Sequence, residues 1–254
     1  MKRKLWGGIA LLALAAIWVG PAQAQAQEKP RMYSYVGFWD IPRAQWADMA
    51  KSDAGDKAVL DKAMASGAIV GYGTDMNLVH SVEGPTHDQW WSSMSMAGLL
   101  SVLNQFYTNG SATSPVLGSA IKHWDAIYVS RYYNWHSGSW TGVYGTGGSF
   151  KLKQDAPDDA LDMLAKGVLV PLFEKMLADG SIHEYEIDTE AIHSEAPGTF
   201  WIAYIAANAD SLDKINQSVR DAMKASPLSS YAISSMVDWS KHRDFLDMST
   251  ATYK

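Results

Sequence analysis

The sequence predicts an α+β fold made of one structural unit present twice in tandem, and three observations lead there. The first is self-similarity at an offset of 113. Lys62 meets Lys175, Ala65 meets Ala178, Gly67 meets Gly180, Ile69 meets Ile182, Tyr72 meets Tyr185, Asp75 meets Asp188, His80 meets His193, Ser81 meets Ser194 and Thr86 meets Thr199. That is nine identities in the 25 columns from 62 to 86, without a gap, a density that marks an internal duplication. The second is that strand and helix periodicities follow the same order in both halves. The third is a Gly-rich stretch, residues 137–148, lying between the two copies.

In the first copy, residues 32–41 carry the β-formers Tyr33, Tyr35, Val36, Phe38 and Trp39 and predict a strand. Pro42 suits the first turn of a helix, and Trp46, Met49, Ala50, Leu60 and Met64 keep helical spacing up to Gly67, a C-cap candidate, with Gly55 as an interruption. Residues 68–81 predict a second strand, Glu83-Gly84-Pro85-Thr86 a turn, and residues 89–96 a third strand. Helical spacing returns over 98–107 and stops at Asn109-Gly110, and residues 123–135 supply a fourth strand.

The second copy repeats the order. A strand is expected over 149–154, then a helix from Ala156-Pro157-Asp158-Asp159 to Gly180, its acidic start matching the helix dipole and Pro171 bending it. Strands follow over 181–194 and 199–207, separated by the turn Glu195-Ala196-Pro197-Gly198. A helix over 211–224, capped by Asp210 or Ser211, and a closing strand over 230–239 complete the copy.

The order β-α-β-β-α-β is the ferredoxin-like split arrangement. Two such units in one chain resemble the dimeric α/β-barrel superfamily in fused form, a resemblance that rests on element order and duplication over essentially the whole chain beyond residue 26. It implies two sheets packed as a pseudo-dimeric α/β barrel with helices outside. The domains expected are 27–136 and 149–254, joined by the Gly-rich linker 137–148. Members of the superfamily include cofactor-independent monooxygenases and haem proteins of the chlorite-dismutase and haem-degrading kinds, and the fold does not choose among them.

Residues 1–26 have the layout of a secretion signal: basic Lys2-Arg3-Lys4, an apolar run from Leu5 to Val19, and two A-x-A sites ending at Ala24 and Ala26. The run is short for a bilayer span, which needs about 20 residues. The expectation is a periplasmic or secreted protein with no stable membrane association after cleavage. Cleavage would remove three of the 21 Lys and Arg and leave 18 against 27 Asp and Glu, a net charge of −9. Such a surface disfavours nucleic acid, whose phosphates reward basic patches. The absence of cysteine excludes disulfides and thiolate chemistry, so packing must stabilise the fold.

Candidate site residues fall into two groups. His80 and His193 occupy equivalent positions, and strand alternation puts them on the faces of Tyr72 and Tyr185. These faces are expected to point inward, while Glu184, Glu186, Asp188 and Glu190 occupy the opposite, solvated face. The pair is the candidate for general-base or ligand work, or alternatively a structural device at two hairpins. The second group is aromatic: Tyr35, Trp39, Tyr72, Trp90, Trp91, Tyr185 and Trp201, with Arg131 set among aromatic neighbours as a clamp for an acidic group. Ordinary core packing explains the same aromatics. No His-x-His or His-x3-His spacing, P-loop, G-x-S-x-G or H-E-x-x-H motif occurs, and no metal site is expected.

The leading functional reading is an exported protein that binds a small aromatic or apolar molecule, or acts on it as a cofactor-independent oxygenase. A non-enzymic interaction protein, self-association included, is the alternative, and a haem protein with His193 as its ligand is the third. No cofactor is expected under the first two.

Overall fold

The computed structural model describes residues 29–254, so the expected signal at 1–26 lies outside the described residues. Eight antiparallel strands close into a barrel, and six α-helices pack on its outside. The strands are β1 (Met32–Asp40), β2 (Gly71–Asn77), β3 (His87–Ser93), β4 (Lys122–Trp135), β5 (Gly138–Lys151), β6 (Ile182–Glu190), β7 (Thr199–Ala206) and β8 (Arg243–Tyr253). The helices are α1 (Trp46–Ser66), α2 (Met96–Asn109), α3 (Ala160–Leu164), α4 (Val170–Ala178), α5 (Ala209–Ala225) and α6 (Pro227–Met236).

Round the barrel the order is β4-β1-β3-β2 and then β8-β5-β7-β6, the second run being the first with four added to each strand. The two runs meet at two seams, β2 against β8 and β6 against β4. Closure matters because it leaves no strand edge unpaired.

One sheet face packs against helices. On the first half, Leu60 and Ala63 of α1 and Leu99, Val102 and Phe106 of α2 bury Tyr35, Tyr72 and Trp91. On the second half, Phe173, Met176 and Leu177 of α4 and Ile215 of α5 cover Tyr132, Tyr185 and Ile187. Burial of side chains this size contributes about 1.5–3 kcal/mol each, so the two helix layers hold the sheet. Pro171 has no N–H to donate back along its helix. The chain meets it with a π-helical turn, Ala165–Leu169, between α3 and α4.

Three elements differ from the sequence-based expectation. The Gly-rich stretch 137–148 is no linker: it forms most of β5, pairing with both β7 and β8, and only two residues, 136 and 137, join the halves. Glycine suits this strand because it runs close to its neighbours; a Cβ on Gly147 would stand 1.9 Å from the Ile202 carbonyl oxygen. Residues 230–239 are not the closing strand: 227–236 form α6, opened by Pro227 at its start, and the closing strand is β8. Asn208, not Asp210 or Ser211, caps α5, its side chain accepting from the Ser211 amide at 2.9 Å.

Candidate functional site: the barrel lumen

An eight-stranded barrel is just wide enough for side chains to fill it or for one small ligand to sit inside. Here it encloses a cavity of about 260 Å³. Alternation along the strands decides what lines it. On β6, Glu184, Glu186 and Asp188 point in, while Tyr185 and Ile187 point to the helices. On β3, Asp88, Trp90 and Ser92 point in, and Trp91 points out.

Six carboxylates reach the lumen: Asp75, Asp88, Glu184, Glu186, Asp188 and Asp247. The face expected to be solvated is therefore the inner wall of the barrel. Sequence alternation separates two faces correctly but does not say which faces solvent, and the acidic face looked like the wet one. One signal could have found it: Asp75 and Asp188 are an identity pair of the duplication, and both enter the lumen.

Serines and ring donors hold part of this charge. Ser34 and Ser130 each donate to Glu186 at 3.2 Å, and Tyr253 donates to it at 3.3 Å. Ser130 also bonds Asp188. The Trp90 indole donates to Asp75 at 3.0 Å. Asp75 and Asp88 are direct partners across β2 and β3. Burial pushes both carboxyls up, and the nearness of Asp75 and Asp247 pushes Asp88 further. Burial likewise raises Glu184 and Asp188, lifts Glu186 to about 7 and lifts Asp247 to about 8. Glu184 is 3% exposed and Asp247 5%, yet one oxygen of each, Glu184 Oε1 and Asp247 Oδ1, has no hydrogen-bond partner. No lysine, arginine or histidine lines the cavity.

Aromatics fill the two ends. At one, Trp135 stacks on Tyr253 at 5.4 Å and on Tyr133 at 5.6 Å, and Trp90 lies against Tyr253 at 5.5 Å. Gly71 and Gly73 make room for this plug: a Cβ on Gly71 would stand 2.4 Å from the Tyr253 ring, and one on Gly73 2.5 Å from the Trp90 ring. Towards the other end, Trp201 tilts against Tyr128 at 4.8 Å, with Phe38 and Phe245 also lining the cavity.

Of the residues singled out from sequence, Trp90 and Trp201 line the lumen and the others do not. His80 and His193 are exposed in the loops after β2 and β6, so neither points inward; each strand ends before its histidine and alternation no longer applies. Tyr72 and Tyr185 face the helices, where Tyr72 donates to Asp61 at 2.5 Å and Tyr185 to Glu174 at 2.6 Å. Tyr35, Trp39 and Trp91 line a separate cavity of about 50 Å³ between sheet and helices. There Tyr35 stacks on Trp91 at 4.3 Å and Trp39 on His123 at 5.0 Å. Arg131 sits at a bulge in β4 and pairs with Asp162 of α3, outside the barrel. His87 is buried on the helix side near Trp46, not at the surface, and burial holds its imidazole down at about 4.

Among the described residues no group of three or more His, Cys, Asp or Glu is placed to hold a metal ion. The lumen does not fit haem. Among the described residues its lining has no histidine, cysteine or methionine, its Tyr253 is committed to Glu186, and the anionic propionates of haem would meet buried carboxylates with no cation beside them. Among the described residues no helix is long and apolar enough to cross a membrane.

No protein-family model matches the chain, and no curated protein sequence matches it significantly. Solved structures do. A proposed monooxygenase from Lactobacillus acidophilus superposes with a TM-score of 0.65 at 8% identity, over 89% of this chain and 97% of that one. A proposed monooxygenase from Fusobacterium nucleatum gives 0.65 at 7%, over 88% and 94%. Chlorite dismutase from Candidatus Nitrospira defluvii gives 0.50 at 7%, over 85% and 90%. At such identities the likeness is one of architecture: this chain folds as a dimeric-type α/β barrel whose two halves are covalently joined.

Proposed function

We propose that this protein binds a small organic molecule inside its barrel, and that the two halves are ferredoxin-like units, the first ending with β4 and the second beginning with β5, exported behind the signal at 1–26. The observation that carries the reading is the lumen itself: a cavity of about 260 Å³ with an aromatic plug at one end, aromatic rings towards the other and unpartnered carboxylate oxygens on its wall. A barrel needed only for rigidity would fill its interior with apolar side chains, as cores do. Pockets of this order, aromatic with a few placed polar groups, are those that hold small ligands.

Binding is better supported than cofactor-independent oxygenation. That chemistry begins by deprotonating an activated aromatic substrate, and the resulting anion would be opposed by the carboxylates around it. The histidines proposed as bases also stand outside the cavity.

The test is a ligand screen by native mass spectrometry and tryptophan fluorescence, run on the chain and on Ala203→Trp, which would fill the lumen. Ala203 lines the cavity. A compound that binds the chain and not the filled, folded variant supports the reading. Ligands that bind both equally overturn it.

A further inference from the structure

We propose that the ligand is an organic cation, an aryl-alkyl ammonium or a close relative, with its charged nitrogen taken up among the buried acids of the lumen, Glu184 and Asp247 being the ones tested, and its ring against the aromatic side chains of the wall. This rests on the reading above, because it names the chemistry of the molecule in the same lumen.

Two independent observations point to a cation. One is the unpartnered oxygens: Glu184 Oε1 and Asp247 Oδ1 belong to side chains more than nine-tenths buried, and both residues line the cavity. A buried polar atom left without a partner is costly, and a ligand N–H would recover that cost. The other is the composition of the wall. Every charged side chain on it is acidic, and aromatic faces stand beside them. Ammonium groups are recognised by that combination, carboxylate for the charge and ring face for the cation.

The acids face the cavity from β2 (Asp75), β3 (Asp88), β6 (Glu184, Glu186, Asp188) and β8 (Asp247), with Tyr128 from β4, Tyr204 from β7 and Tyr253 from β8 as the other titratable groups. Burial keeps these carboxyls protonated to higher pH than usual, so an entering ammonium displaces protons.

The test uses three probes of one shape: 2-phenylethylammonium, the neutral 2-phenylethanol and the anionic phenylacetate, titrated by calorimetry at pH 6 and pH 8 on the wild-type chain, Glu184→Gln, Asp247→Asn and Ala203→Trp. The expected result is that the ammonium binds at least about tenfold tighter than the alcohol and that phenylacetate does not bind. Its affinity should rise from pH 6 to pH 8 with release of protons to the buffer. Glu184→Gln and Asp247→Asn should weaken the ammonium about tenfold and leave the alcohol unchanged. If the alcohol binds as tightly as the ammonium and Ala203→Trp abolishes it, the cation inference falls while the pocket stands. If no probe binds, or binding survives Ala203→Trp, both fall.

Discussion

Tyr185 donates its hydroxyl to Glu174 at 2.6 Å, and the bond is a repeat: 113 positions earlier Tyr72 donates to Asp61 at 2.5 Å. Each tyrosine lies on a strand at a seam between the halves, and each carboxylate lies on the helix above it. Removing the hydroxyl should therefore cost stability in either half. Tyr185→Phe is expected to cost about 1–2 kcal/mol and Tyr72→Phe less, since the Asp61 side chain is half exposed and water can replace the lost donor, whereas Tyr185 is buried. Urea denaturation of the two variants checks this; equal and negligible losses would show the bonds to be idle.

Stability should fall as pH rises towards 8. Glu186 is lifted from 4.5 to about 7 and Asp247 from 3.8 to about 8, burial being the main cause for both. A carboxyl whose folded pKa exceeds its unfolded one favours the fold while protonated. That contribution is whole below about pH 4 and is lost as pH climbs through 7 and 8. His87, held down at about 4 from 6.5, works the other way and weakens the fold as pH drops below 6.5. Two carboxyls outweigh one imidazole, so the melting temperature should be higher at pH 5 than at pH 8. Glu186→Gln and Asp247→Asn should flatten the decline above pH 6, and a melting curve as steep as wild type in both would contradict the assignment.

Gly73 should tolerate no side chain. Its Cβ would stand 2.3 Å from the Thr250 carbonyl oxygen and 2.5 Å from the Trp90 ring. Gly73→Ala is expected to cost about 1–3 kcal/mol, read as a lowered melting point together with a shift in tryptophan emission. Gly55 on α1, with no atom within 4 Å of its would-be Cβ, is the control: Gly55→Ala should gain up to about 1 kcal/mol.

His80→Ala and His193→Ala should each change stability by less than about 0.5 kcal/mol and leave ligand binding as it was. Both imidazoles are exposed in loops. A tenfold loss of binding in either would return the histidines to the site.

The element order was legible because helical spacing and alternating strands announce their periods. What misled was composition. Tyr231 and Ile233 suggest a strand, but the chain from Pro227 is helical, and β8, with Asp244, Asp247 and exposed Met248 among its residues, carries little apolar alternation. The Gly-rich stretch looked like a linker because glycine more often loosens a chain than lets two strands close on each other. At the site, alternation alone put Glu184, Glu186 and Asp188 on one face. Their placement in a lumen depends on closure by strands more than a hundred residues away, which no local pattern records. Trp90 and Trp201 line the lumen, whereas Tyr35, Trp91 and Tyr185 pack in the core against the helices.

The seam between β2 and β8 joins residues as far apart as Thr74 and Thr250, whose hydroxyls meet at 2.9 Å. Pairing across so long a stretch of chain carries the largest loop-closure cost in the molecule, and contacts of that range slow folding. Until β8 docks, β2 and β5 both present bare edges over what will become an acidic interior. The last strand is thus a kinetic gate: the population awaiting it is the one exposed to strand-to-strand misassembly, and refolding yield should track how fast residues 243–253 find their groove.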